Sequence, residues 1–133
     1  MYGLTGTLGL HAATTVVSGL LQNNTVGFCI DAGDLGAISF LTRGTVATKA
    51  ATGLTMTSTK GFDFYMFCPP NSTNVSWRIV EINTGAETSG VATLNLPAAA
   101  TLLTAGVLAS NAAVTPATSI QLGINRIYIE TDY

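Results

Sequence analysis

Seven acidic residues, one histidine and two cysteines are nearly the whole stock from which this 133-residue chain could build an acid, a base or a metal site. Glycoside hydrolysis needs two carboxyl groups, about 5–5.5 Å apart for retention or roughly 6.5–9.5 Å for inversion. Alternate residues of a strand share a face, so carboxylates at i and i+2 have a suitable spacing. Glu130 and Asp132 alone provide it. They stand at the end of the sequence, where chains fray, so they are expected to be solvated charges or an intersubunit contact. Asp31 and Asp34 flank the stretch Asp31-Ala32-Gly33-Asp34. Part of a calcium loop could have this form, but calcium takes about six to eight oxygens and two carboxylates supply too few. Asp and Gly are also ordinary turn residues, and a turn is the expectation. His11, with Ser18 and Asp31 near it in sequence, has no G-x-S-x-G context and is expected to be structural or solvated. Cys29 and Cys68 fall in strand-like runs without a CxxC, so they are expected to be small buried hydrophobes, and nothing suggests a disulfide between them.

These residues lead to no catalytic site, no metal and no cofactor. The expectation is a non-enzymatic protein. Two aromatic side chains are the candidates for ligand contact, since sugar faces pack on exposed rings. Tyr65 opposes the Phe62, Phe64 and Met66 face and is a candidate for exposure, whereas Trp77 falls in phase with Val75 and Ile79, which favours the core.

Composition narrows the function classes further. Charged residues make up 9% of the chain, against about 25% in an ordinary soluble domain, and hydrophobic residues reach 47%. From Thr88 to Asn125 there is no charge at all. So few charges would leave a lone monomer poorly protected against association, so other copies or a partner are expected to cover much of the surface. The net charge is −2, and Arg43, Lys49, Lys60, Arg78 and Arg126 are scattered, which argues against nucleic acid. The N-terminus lacks a basic segment and is broken by glycines, so no signal peptide is expected. Pro97–Val114 is uncharged, but with a proline, a glycine and few large apolar groups it is not expected to span a membrane. The Asn23, Asn71 and Asn74 sequons are taken as polar turns.

The elements expected to carry these residues are β-strands. Short runs recur every 8–12 residues between Gly, Asn, Thr or Pro, which predicts a single all-β domain over residues 1–133, an antiparallel sandwich or barrel. Val26, Phe28 and Ile30 alternate, Ala37–Arg43 follows, and Thr45–Thr59 is expected to be a strand, a turn at Gly53 and a second strand. Phe62–Cys68 places Phe62, Phe64, Met66 and Cys68 on one face and Asp63, Tyr65 and Phe67 on the other, and Pro69-Pro70 stops it. Val75–Asn83 comes next, then a turn at Thr84-Gly85 leading through Glu87–Gly90 to Val91–Pro97. Thr101–Ala109 is expected to be a strand, although Pro97 before alanine-rich sequence also suits a short helix over Ala98–Ala109. Ser119–Asp132 is expected to be the closing strand, with a bulge or register change at Asn125-Arg126.

This succession resembles a concanavalin A-like jelly-roll module of bacteriophage tail-fibre and head-surface proteins. The likeness rests on VGFCIDAG, AISFLTRGTVATKAATGLTMTS, FDFYMFCPP, NSTNVSWRIVEINTG, TLNLP and SIQLGINRIYIETDY. It covers most of the chain from about Gly9 and is a rhythm of strands and turns rather than a catalytic motif. Modules of this kind usually carry further strands before the segment matching Leu8–Leu10. Neighbouring copies could therefore complete the sandwich, the chain could be a compact variant, or it could be the end of a longer fibre.

The resemblance implies a virion structural protein on the particle surface, assembled in the host cytoplasm. Its expected form is a homotrimer bound to the major capsid protein or to fibre and tail components, with Met1–His11 or Ile127–Tyr133 pairing across subunits. The length and Met1 favour a separate decoration (cement) protein. The alternative is a carbohydrate-binding receptor-recognition module contacting a host surface glycan. Neither a nucleic acid nor a membrane is expected as a partner.

Overall fold

The computed structural model describes residues 2–5, 24–70, 72–107, 109 and 122–130. Among them are eight strands, one short 3-10 turn and no α-helix. The strands are β1 (Tyr2–Thr5), β2 (Thr25–Cys29), β3 (Ala37–Arg43), β4 (Ala47–Thr55), β5 (Phe62–Phe67), β6 (Val75–Glu81), β7 (Glu87–Ala92) and β8 (Thr104–Val107). They form two antiparallel sheets, one in the order β4-β3-β2-β1-β8 and the other in the order β5-β6-β7. The protein is an all-β sandwich. Within it, β2-β3-β4 and β5-β6-β7 are meanders of neighbouring strands, and β8 returns to the first sheet beside β1.

The core follows from alternation along each strand. Val26 and Phe28 of β2, Ile38 and Phe40 of β3, and Val75, Trp77 and Ile79 of β6 form one buried cluster between the sheets. Phe62, Phe64 and Met66 of β5 pack against it while partly exposed, and Asp63, Tyr65 and Phe67 point the other way. The rings interlock. Phe40 stacks on Trp77 at 5.4 Å and 17°, while Phe28 meets Phe40 edge-on at 5.1 Å and Phe64 at 4.8 Å. Offset-stacked and edge-to-face pairs of this kind add about 0.5–1.5 kcal/mol each beyond the area they bury. The first sheet is also buried on its opposite face, where Thr25, Cys29, Ser39 and Leu41 lie.

Several segments differ from the sequence expectation. Thr45–Thr59 holds one nine-residue strand rather than two. Its pairing with β3 skips from Ala37↔Thr55 to Ser39↔Ala51, so the break at Gly53 (φ +78°) is a bulge. Thr52 stabilises the bulge by donating its hydroxyl to the Ile38 carbonyl at 2.7 Å and accepting from the Leu54 amide at 3.2 Å. Glu87–Gly90 belongs to strand β7 instead of leading to one, and the TLNLP segment is the loop that follows.

That loop clamps the sandwich. Thr42 donates its hydroxyl to the Leu94 carbonyl, the Gly44 amide reaches the Asn95 carbonyl, and the Asn95 side-chain amide reaches Thr48. The alanine-rich segment forms a turn, closed by the Thr101 amide on the Ala98 carbonyl, and then strand β8 rather than a helix.

Two differences concern the chain ends. Tyr2–Thr5 pairs with β2 on one side and β8 on the other, so it is an interior strand of its own sheet and not a free edge. Of the expected closing strand Ser119–Asp132, the described residues 122–130 form no strand; they are exposed and outside both sheets. Leu8–Leu10 lies outside the described residues.

Trp77 accounts for the glycine opposite it. It pairs with Gly90, and a Cβ there would come within 2.5 Å of Trp77 Cζ2 and 2.8 Å of Cε2. We expect Gly90→Val to lower stability by about 2–3 kcal/mol, within the usual cost of overpacking a core. Urea denaturation monitored by Trp77 fluorescence would measure it, and an unchanged midpoint would contradict the packing described.

Candidate functional site

Two polar constellations stand out, one on each sheet. In the first, Asp31 follows β2, and the turn Ala32–Asp34 brings Asp34 back so that its carboxylate accepts from the Asp31 amide at 3.0 Å. Leu35 takes the left-handed conformation (φ 50°) that ends this turn. Lys49 of β4 then places its ammonium between the two carboxylates, 2.9 Å from Asp31 Oδ2 and 2.5 Å from Asp34 Oδ2. A cation does sit in this acidic turn, and it is the protein's own. Sequence inspection overlooked Lys49, although its place opposite Leu41 puts it on the same side of the sheet as Cys29 and Ser39.

The surroundings shift two groups. Partial burial works against the Lys49 charge, but hydrogen bonds with Asp34 and Asp31 outweigh it, so its pKa lies above the ordinary 10.5. Burial, with the Asp31 charge adding to it, pushes the Cys29 thiol up to about 12. Cys29 is an inert neutral thiol at physiological pH. Cys68, expected inside, is exposed just beyond β5 where Pro69 ends the strand, and both cysteines are free.

The second constellation is the outer face of β5-β6-β7. Register aligns Tyr65 with Arg78 and Ser89, Phe67 with Ser76 and Val91, and Asp63 with Val80 and Glu87. Tyr65 is 46% exposed, and Phe67 and Val91 are more so. The Arg78 guanidinium lies 4.6 Å from the centre of the Tyr65 ring and 3.7 Å from Glu87. Trp77 faces inward from the same sheet and is 7% exposed, so Tyr65 and Trp77 are not brought together. The alternation that separates them also puts Arg78 and Phe67 on the outer face, and the pairing of Ser76 with Val91 adds Val91, which no alternation in the sequence singles out.

The remaining candidates stay apart. Glu130 accepts a hydrogen bond from the Tyr128 hydroxyl at 2.8 Å on the exposed C-terminal segment. His11, Ser18 and Asp132 lie outside the described residues. Glu81, buried at the inward end of β6, is paired with Lys60 at 2.9 Å. Among the described residues, no group of three or more His, Cys, Asp or Glu converges as a metal site would require. None of the described helices is long and apolar enough to cross a membrane. The cleft between β4 and β7 measures about 180 Å³ and is lined by Phe40, Thr42, Thr48, Ala50 and Val91–Leu94, without an ionisable side chain.

Removing the ammonium would strand two carboxylates, one of them nearly buried. We expect Lys49→Met to cost about 2 kcal/mol in urea denaturation, less than a fully buried pair because Lys49 and Asp34 are partly solvated. The same contacts predict a dependence on pH. Both raised pKa values contribute stability that is complete below the unfolded-chain values, 9.0 for cysteine and 10.5 for lysine, and is lost as the pH climbs toward the folded ones. Stability should therefore fall above pH 9, and Cys29→Ala should remove the part of the fall that begins there. A flat profile in the unsubstituted protein would contradict this assignment.

Known proteins provide no relative: no family model matches the chain, and no match to it was found among curated proteins or solved structures.

Proposed function

We propose that this protein is a structural module of a bacteriophage particle surface, a capsid decoration (cement) protein or a fibre module that works by association rather than by chemistry. The observation that carries the association is the apolar character of its outside. Leu122, Ile124, Ile127, Tyr128 and Ile129 are each about half exposed or more on one segment, and Phe67, Tyr65 and Val91 are exposed on the outer sheet face. Large exposed apolar areas mark interaction surfaces. The placement on a phage particle rests on the likeness of the strand rhythm to concanavalin A-like phage modules, and so do the jelly-roll identity and the homotrimer. The two meanders of the described strands are a property of a sandwich in general.

In this reading the protein bridges subunits of the major capsid protein, or packs within a fibre or tail, by apolar burial and main-chain pairing. Quantitative mass spectrometry of purified particles tests it through copy number. A number comparable to the coat protein supports decoration, and a handful per particle supports a fibre or spike. Absence from particles overturns the virion reading.

A second reading, a module that recognises a host surface glycan, is favoured by the exposure of Tyr65 beside Arg78. Against it, the guanidinium already covers one face of the ring, so only the other is left for a sugar to stack on. If glycan recognition is the function, Tyr65→Ala abolishes binding on a glycan array without changing the circular dichroism spectrum. Undiminished binding by that variant removes Tyr65 from the role.

A further inference from the structure

Two surfaces of this chain have complementary needs. Residues 122–130, three isoleucines among them, form an exposed segment without regular secondary structure and with no backbone hydrogen bond to any described residue. Two contacts lie within it: the Tyr128 hydroxyl reaches Glu130, and the Arg126 guanidinium lies 5.5 Å from the centre of the Tyr128 ring. Its composition is that of a strand, and among the described residues it has no sheet.

Among the described residues, β5 is an edge strand: it pairs with β6 alone, over Phe62–Phe67 in an unbroken register. Exposed edges are ordinarily blunted by a bulge, a proline or a lysine, and these six residues contain none of them. Phe62, Phe64 and Met66 of β5 are also only partly buried, where the inward residues Val75, Trp77, Ile79 and Glu81 of β6 are buried. The other edges are less suited. β4 carries the bulge at Gly53 and commits Lys49 to the acidic turn, β7 runs along β4, and β8 has four residues.

We infer that residues 122–130 of one copy add as a strand to the β5 edge of a second copy. The inference rests on the proposed reading of the protein as an associating surface module and names the elements that associate. Main-chain pairing along β5 would satisfy both sets of backbone groups, the usual basis of strand addition. One face of the added strand would cover the partly exposed Phe62 and Met66, and the other would extend the surface of Tyr65 and Phe67. Arg126, the one basic residue of the segment, is opposite in charge to Asp63, the one charged residue of β5, and Glu130 at the segment's far end is the remaining charge to place. Donating a strand to the next copy is a head-to-tail contact, which gives a ring such as the proposed trimer when its rotation closes and an open filament when it does not.

Complementation tests the inference. Ile127→Asp with Ile129→Asp spoils the donated strand, and Tyr65→Lys with Phe67→Lys spoils the receiving edge, all at exposed positions. Each double variant should run as a monomer under conditions in which the unsubstituted chain is oligomeric, with an unchanged circular dichroism spectrum. A mixture of the two should form a one-to-one complex, since each supplies what the other lacks. Oligomers of unchanged mass from either variant, or two monomers that ignore each other, overturn the inference.

Hydrogen exchange on the unsubstituted protein provides the same test without folding risk. The amides of 62–67 and 122–130 should gain protection together as concentration rises, and coil-like exchange of 122–130 at every concentration overturns the proposal. Protection of 122–130 only on assembled particles would make the occupant a particle protein instead of a second copy. The copy number in particles would decide the virion reading separately.

Discussion

Trp77 against Phe40 is the contact on which the two sheets depend. The indole lies nearly parallel to the Phe40 ring, with Phe28 set against both and Phe64 closing the far side. Sheet packing about 10 Å apart needs side chains that reach across the gap and interdigitate. Four aromatic rings from β2, β3, β5 and β6 do this here. The remainder of the sandwich is arranged around them: the glycine at position 90 leaves room for the indole edge, and the loop from Thr93 to Leu96 ties β7 back onto β3 and β4.

The few charges are largely used inside the fold. Lys49 holds Asp31 and Asp34, Lys60 holds the buried Glu81, and Arg78 lies between Tyr65 and Glu87. Little charge is left to keep copies apart. The exterior is instead furnished with Tyr65, Phe67, Val91 and the apolar residues of 122–130. Low charge in the composition and apolar exposure in the structure both support the proposed association.

Period-two patterning made the outline of the fold legible. Phe62–Phe67 and Val75–Glu81 alternate as their residue types imply, because each strand has one face on the core and one toward solvent. The first sheet was harder, since β2 is buried on both faces and Cys29 is as hidden as Phe28. Gly53 and Gly90 are alike as residue types yet have unlike roles, a bulge and a slot for Trp77, and only the partner strand distinguishes them. The pairing of Tyr2–Thr5 between β2 and β8 depends on long-range contacts that no local pattern carries. Ser119–Asp132 has strand chemistry, but a strand also needs a neighbour, and residues 122–130 pair with none among the described residues. Of the candidate site, the Asp31–Asp34 turn could be read directly. The ammonium that fills it comes from a strand 15 residues beyond Asp34 and became visible only through the register.

The central claim is that this sandwich is incomplete as a single copy. Sedimentation velocity of the purified full chain across a dilution series measures that most directly. The account predicts a species several times heavier than 13.7 kDa that dissociates on dilution. A single species at the monomer mass throughout the micromolar range would contradict it.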